Sequence, residues 1–108
     1  MLDLLWSDPA LKETDISIKG PHERRDKKQQ GFIVRFGPQR IKQFLNDNNL
    51  LMIIRSHEPV LNGIQEFCNG QLLTIFSATN YGGQYMNNGA GLKITKQCKM
   101  VPLKLPPT

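Results

Sequence analysis

The sequence has 108 residues, of which 39% are hydrophobic, and this length suffices for one domain or a piece of one. Its longest purely apolar run, residues 50–54, falls far short of the roughly 20 residues that a membrane-spanning helix needs. Two cysteines, Cys68 and Cys98, are too few for a disulfide scaffold or a zinc module, and reduced thiols favour a cytoplasmic or nuclear protein.

The net charge of +5 is concentrated in one stretch. Residues 19–42 hold eight Lys or Arg and two acids, a net +6, whereas the rest of the chain holds six basic and seven acidic residues, a net −1. A basic stretch attracts anionic partners. This one, however, has neither periodicity nor apolar content around Gly20-Pro21 and residues 27–30, so we expect a solvated, irregular loop.

The first predicted element is a strand in the apolar run of residues 2–6, which Ser7-Asp8-Pro9 ends because proline fixes its own φ and biases the preceding residue. Residues 10–30 are expected to form a long loop. Loops of that length in compact domains are usually functional or disordered.

A strand, a helix and a second strand are predicted next. Alternation of Phe32, Val34 and Phe36 indicates the first strand. Gly37-Pro38 opens a helix with an apolar stripe of Ile41, Phe44 and Leu45, and the run of asparagines after Leu45 ends it. Residues 50–54 are apolar without alternation, which predicts a strand covered on both faces, and together the three elements suggest a crossover unit.

The remaining pattern predicts antiparallel structure. Asn69-Gly70 is a turn signal between residues 64–68 and 71–76, which predicts a hairpin. Residues 91–94 are a last strand candidate, and three prolines after Val101 predict an irregular tail over residues 97–108.

Polar residues follow two of these strands directly. Arg55-Ser56-His57-Glu58 comes after one strand, and residues 77–81 come after the next, so both sets are expected at one sheet edge, as in the active sites of α/β proteins. Histidine is the commonest ligand for a transition metal, but a catalytic metal needs about three protein ligands. His22 lies in the basic loop with nothing evident to fix it. From its residues alone, the chain lacks a complete catalytic centre.

Five segments stand out together: Leu-Leu-Trp-Ser-Asp-Pro at 4–9, Phe-Gly at 36–37 with its helix, Arg-Ser-His-Glu at 55–58, Thr-Ile-Phe-Ser-Ala-Thr-Asn-Tyr at 74–81 and Asn-Gly-Ala at 88–90. In order and spacing they resemble the end of the catalytic domain of phosphoprotein-phosphatase-type serine/threonine phosphatases. The resemblance runs from about residue 4 to residue 94, and the Arg-Ser-His-Glu form is closer to the more divergent members of the family.

The resemblance implies an α/β fold: the carboxy-terminal portion of a metallophosphoesterase-type β-sandwich flanked by helices in four α/β/β/α layers. Residues 1–96 would form this incomplete catalytic domain, and 97–108 the tail. The implied activity is hydrolysis of phosphoserine and phosphothreonine in proteins by water activated between two divalent metal ions of the Mn, Fe or Zn type. Regulatory subunits are further implied partners, and a membrane is not.

The resemblance also assigns roles to single residues. His57 matches the last metal ligand, and Tyr81 matches a tyrosine that overhangs the site and contacts phosphate. Trp6 and Asp8 match residues that line the substrate groove, although core packing is an equal alternative for Trp6. The family's earlier motifs, with most metal ligands and the general acid, are not in this chain. No catalytic residue, no tight metal binding and no activity are therefore expected of the isolated chain.

One family position differs here. An arginine that holds substrate phosphate precedes the glycine of the next strand in the family, whereas Gln30 precedes Gly31 in this chain. Glutamine brings no charge to the phosphate, so Arg24 and Arg25 are candidate replacement contacts beside Gln30. Two alternatives remain: a non-catalytic phosphatase-like module that binds phosphoproteins or other anions through residues 19–42, and, least favoured, a nucleic-acid-binding domain, since only Phe32 and Phe36 lie near the charge.

Overall fold

The computed structural model describes residues 1–14, 19–28 and 30–108. These residues form a mixed α/β structure that divides into two compact units. The first unit consists of residues 1–53 together with 67–71, and the second consists of residues 54–66 together with 72–108. Parts of the predicted loop at residues 15–18 and 29 lie outside the described residues.

The apolar run at the start of the first unit is a helix, α1 (Leu2–Trp6), and not the predicted strand. Ser7 N–H donates to the Asp3 carbonyl over 3.0 Å, and Leu4 N–H donates to the Asp3 carboxylate over 2.9 Å. The first of these bonds, between residues four apart, closes a helical turn. A five-residue apolar run has no periodicity that separates a helix from a strand, so the sequence could not decide between them.

A three-stranded sheet follows, in the order β1–β3–β2, built from β1 (Asp8–Pro9), β2 (Lys19–Pro21) and β3 (Val34–Phe36). Here β1 pairs with β3 in parallel, and β2 pairs with β3 in antiparallel register. The predicted strand at 32–36 is confirmed in shorter form. The prediction of a loop throughout residues 10–30 was wrong at β2. This strand pairs with β3 through backbone groups, and such pairing requires no recognisable pattern of side chains in the sequence.

The predicted helix is confirmed as α2 (Pro38–Asp47), with Pro38 in its first turn and Ile41 and Leu45 fully buried. It ends as a Schellman motif: Asn49 has φ 54°, and Leu50 N–H donates to the Leu45 carbonyl over 2.9 Å. Among the described residues, no helix is long and apolar enough to cross a membrane.

The predicted crossover unit is not formed. The strand after α2 is β4 (Ile53–Arg55), which belongs to a different sheet from β3. The run before it is also more exposed than predicted, because Leu50 and Leu51 face solvent in the turn that follows the helix. An apolar run shows which residues favour burial. Whether they are buried depends on where the end of the preceding helix directs the chain.

The second unit contains most of a sheet in the order β4–β6–β5, with β5 (Ile64–Phe67) and β6 (Leu72–Ile75). The predicted hairpin is confirmed: Gln71 N–H donates to the Cys68 carbonyl, and Asn69 and Gly70 have φ values of 53° and 77°. Positive φ at both central residues is the requirement of a type I′ turn.

The last two strands, β7 (Gly89–Ile94) and β8 (Met100–Leu105), form an antiparallel ribbon, with Gly89 opposite Leu105 and Ile94 opposite Met100. The prediction of β7 is confirmed, whereas the prediction of an irregular tail over 97–108 was wrong. Pro102 fits within β8 because a strand tolerates a proline at a position where no neighbouring strand needs a hydrogen bond from the backbone N–H. All residues of β8 are exposed.

Candidate functional site

The predicted site residues fall into two groups, one in each unit. In the first unit, Asp8 is fully buried in β1. Its Oδ2 atom lies 2.9 Å from His22 Nε2 and 2.9 Å from Arg25 Nε. A buried carboxylate is stable only when it is paired and hydrogen-bonded, and these two donors meet that need. We call Trp6, Asp8, His22 and Arg25 the Asp8 cluster.

His22 is the centre of this cluster and is fully buried. The backbone N–H groups of Arg24 and Arg25 both lie 3.3 Å from its Nδ1 atom, which must accept from them. We therefore assign the ring proton to Nε2, where it is donated to Asp8. The prediction that nothing fixes His22 was wrong. No spacing rule links a histidine to an aspartate 14 residues earlier, so the sequence carried no usable signal.

Arg25 and Trp6 face each other at the outer side of the cluster. The guanidinium carbon of Arg25 lies 5.6 Å from the centroid of the Trp6 ring, within the range of a cation–π contact. Trp6 is 43% exposed, so it is not a buried core side chain as the alternative reading proposed. Of the predicted site residues in this unit, the structure brings Trp6, Asp8 and Arg25 together.

The basic segment around the cluster is ordered where it is described. Asp26 is buried and accepts the backbone N–H groups of Gln30 and Gly31 at 3.1 and 2.7 Å. Arg35 donates hydrogen bonds from Nε and Nη2 to the carboxylate oxygens of Glu23 over 2.7 to 3.0 Å. The described residues between β2 and β3 have no regular secondary structure, as expected, but these hydrogen bonds give them a defined conformation. The side chains of Arg24 and Gln30, the other candidate phosphate contacts, are exposed.

The second group lies in the second unit, at the edge where β4 and β6 end. Ile53 N–H donates to the Gln71 carbonyl over 2.8 Å, which joins the beginnings of these neighbouring strands, so they run in the same direction. Their ends therefore lie at one edge of the sheet, as predicted. His57 follows β4 there, exposed and with φ 91°.

The turn that carries His57 is bridged by a salt bridge. Arg55 Nη1 lies 3.0 Å from Glu58 Oε2 and 3.3 Å from Thr74 Oγ1. Both Arg55 and Glu58 are largely buried in this arrangement. The backbone of His57 is in a left-handed conformation that non-glycine residues rarely adopt, and the flanking salt bridge holds the turn in that conformation.

A metal ion needs more donors than this turn provides. Among the residues that the structure describes, no three His, Cys, Asp or Glu side chains are grouped closely enough to hold a metal ion. His57 alone offers a single imidazole, so the described chain does not fit a complete metal centre. The role of His57 as one ligand among several stays a prediction.

Tyr81 lies in a loop organised by Asn87, which is fully buried. Tyr81 N–H donates to Asn87 Oδ1 over 2.8 Å, and Asn87 Nδ2 donates to the carbonyls of Ala78 and Asn88 over 2.8 and 2.9 Å. We call residues 78–88 the Tyr81 loop. The sequence identified the Asn-Asn-Gly segment only as a turn, because hydrogen bonds between side chain and backbone do not follow from composition.

The Tyr81 ring packs edge-on against Phe76, with centroids 5.0 Å apart, while the side chain is half exposed. Asn80, before it, has φ 42°, and its N–H donates to the Asn87 carbonyl over 3.0 Å. The Tyr85 ring lies nearby as well, with its centroid 6.4 Å from that of Tyr81. The tyrosine is therefore held at its backbone and against Phe76, and half of its surface stays exposed.

Comparisons with known proteins extend over nearly the entire chain. No protein-family model matches the sequence. Serine/threonine-protein phosphatase BSL2 of Arabidopsis thaliana is 42% identical over 107 residues, which are 99% of this chain and 10% of that protein. A solved serine/threonine phosphatase of Saccharomyces cerevisiae, described as similar to human phosphatase PP5, superposes with a TM-score of 0.75 at 28% identity. That match covers 97% of this chain and 33% of the other. The chain thus spans about a tenth of the curated relative's length.

Proposed function

Because this chain belongs to the phosphoprotein-phosphatase type of serine/threonine phosphatases, we propose that it is the carboxy-terminal part of a metal-dependent phosphatase catalytic domain. Its mixed α/β fold is that of part of a metallophosphoesterase-type domain. The observation that carries the proposal is the extent of the likeness. Nearly every residue of the chain aligns, yet the alignment spans only a tenth of one relative and a third of the other.

In the proposed domain, each unit of the chain contributes residues to the chemistry. His57 is one metal ligand, Tyr81 faces the substrate phosphate, and Trp6 and Asp8 line the groove. The substrates would be phosphoserine and phosphothreonine in proteins, and regulatory subunits would be further partners. Since the residues that the structure describes do not form a complete metal centre, the remaining metal ligands of the proposed domain would come from outside these residues.

The test compares the isolated chain with a longer protein that contains it. With manganese and an aryl phosphate, we expect no turnover by the 108 residues alone. We expect turnover by a protein extended to the length of its relatives, which His57→Ala should lower by about a hundredfold or more. The exposed Asn62→Ala is the matched control. Turnover by the isolated chain, or an extended protein unaffected by His57→Ala, would contradict the proposal.

A second candidate function rests on the exposed charges of the basic segment. Arg24, Lys27 and Lys28 are exposed in an ordered turn, which suits a non-catalytic module that binds phosphoproteins or other anions. Pairing of Arg25 with Asp8 and of Arg35 with Glu23 reduces the charge available for this role. Salt-dependent retention on phosphocellulose that disappears when the three exposed residues become glutamine would favour it.

A further inference from the structure

His22 is linked to Arg25 in two ways, directly at the backbone and through Asp8 at the side chain. Its Nδ1 atom accepts the backbone N–H of Arg25 over 3.3 Å. Its Nε2 atom donates to the Asp8 oxygen that also accepts Arg25 Nε, both over 2.9 Å. One imidazole thus fixes the backbone of Arg25 and orients the carboxylate that holds its side chain. This side chain would otherwise have large rotamer freedom, which binding to a ligand would have to remove.

Asp8 engages the guanidinium of Arg25 at its Nε atom. Within the described residues, Arg25 uses Nε in its hydrogen bond with Asp8, and Trp6 lies against the cation. The two terminal amino groups remain as a planar pair of donors, and the side chain is 25% exposed. A fixed guanidinium with two parallel donors matches an oxoanion in geometry and charge.

Capping an ordinary surface turn does not require a buried histidine. His22 and Asp8 are both fully buried, although polar side chains that only cap a turn are usually left at the surface. Burying this pair costs desolvation, and the result of the pairing is a single geometry for Arg25. We propose that His22 is a positioning residue, which holds Arg25 beside Trp6 so that its terminal N–H groups donate to a phosphate group.

The identity of the anion as substrate phosphate rests on the proposed function, whereas the positioning of Arg25 by His22 does not. Trp6 is the single tryptophan of the chain and lies against Arg25, so its fluorescence reports on this site alone. The experiment titrates the full 108-residue chain with inorganic phosphate and follows Trp6 emission, and a thermal melt of each variant confirms folding.

Three variants and one control separate positioning from general stability. We expect His22→Ala and Arg25→Gln each to weaken phosphate affinity by about tenfold, as loss of a charge-assisted contact predicts. The double variant should bind no more weakly than Arg25→Gln alone, because the histidine acts through the arginine. Lys96→Gln, which removes an exposed charge from the turn between β7 and β8, outside the basic segment, should leave the affinity within about twofold.

A conservative replacement keeps the proposal testable if His22→Ala does not fold. His22→Gln retains an amide N–H that can reach Asp8, and it should recover most of the affinity if His22→Ala fails to melt cooperatively. Unchanged phosphate affinity in a folded His22 variant, additive losses in the double variant, or no saturable phosphate binding by the parent chain would each overturn the proposal. If His22 variants lose affinity while the extended protein shows no phosphatase activity, the positioning role holds and the proposed function fails.

Discussion

At the scale of single residues, the ion pair between Glu23 and Arg35 gives the protein a definite pH response. Hydrogen bonds from Arg35 lower the pKa of Glu23 from its ordinary 4.5 to about 2. A carboxylate with a depressed pKa in the folded state stabilises the fold above its ordinary pKa, and this contribution is lost as the pH falls from about 4.5 through 2.

Glu23→Gln should therefore flatten the fall in melting temperature between pH 5 and pH 2. The effect should be modest, on the order of 1 kcal/mol or less, because the Glu23 side chain is 53% exposed and solvent screens the pair. The exposed Glu66→Gln serves as control. Parallel melting profiles for the parent and Glu23→Gln across this range would refute the prediction.

The two cysteines should differ in reactivity. Burial raises the pKa of the Cys68 thiol, a nearby Lys42 opposes that effect, and Glu13 adds to it. Cys98 is exposed. Since the thiolate is the reactive form, iodoacetamide at pH 8 should modify Cys98 at least about tenfold faster than Cys68 in the folded chain. Mass spectrometry of time points checks this, and the difference should vanish in urea. Equal rates without denaturant would show that the Cys68 site opens readily.

Glycine is required at position 89 for space. A Cβ atom there would lie 2.3 Å from the carbonyl oxygen of Ser77, whereas nothing lies within 4 Å of a Cβ at Gly91 in the same strand. We expect Gly89→Ala to lower the free energy of unfolding by about 2 kcal/mol or more, and Gly91→Ala by no more than about 0.5 kcal/mol. Urea unfolding measures both. Equal losses would mean that strand propensity, and not the contact with Ser77, sets the cost.

At the scale of elements, Asn87 holds the Tyr81 loop by hydrogen bonds to three backbone groups. Asn87→Ala would leave these groups unpaired in a buried site, so the free energy of unfolding should fall by at least about 2 kcal/mol. Amide exchange should accelerate first at Tyr81, because its N–H loses its acceptor. Asn88→Ala, at a partly exposed neighbour, is the control. A Tyr81 N–H that stays protected in Asn87→Ala would contradict the assigned role.

The elements also show which parts of the fold could be predicted. Helix α2 was predictable because Pro38, the Ile41–Leu45 stripe and the asparagine run all give local signals. Helix α1 and strands β2 and β8 were not, since a five-residue apolar run is ambiguous and backbone pairing leaves little trace in composition. In the candidate site, His57 and Tyr81 were predicted because they follow strands, and their roles stay predictions. The pairing of His22 with Asp8 was missed, because the two residues lie 14 positions apart and no local pattern links them.

At the scale of the whole molecule, the likeness to phosphatases explains why short motifs were informative. Segments such as residues 4–9 and 74–81 specify a family, and the relatives confirm that family. The described residues, however, assemble no group of metal-binding side chains. We therefore propose that the remaining metal ligands of the domain come from further sequence.

The first unit is interrupted in sequence, since it needs residues 67–71 as well as 1–53. Cys68 N–H donates to Glu13 Oε1 over 2.7 Å, a contact that closes a span of 55 residues. During translation, the amino-terminal half must therefore wait for residue 71 to leave the ribosome before its last contacts form. By then residues 54–66, which belong to the second unit, have already emerged. Folding of the first unit is thus delayed by the order of its own segments, and a single proteolytic cut cannot release either whole unit without residues of the other.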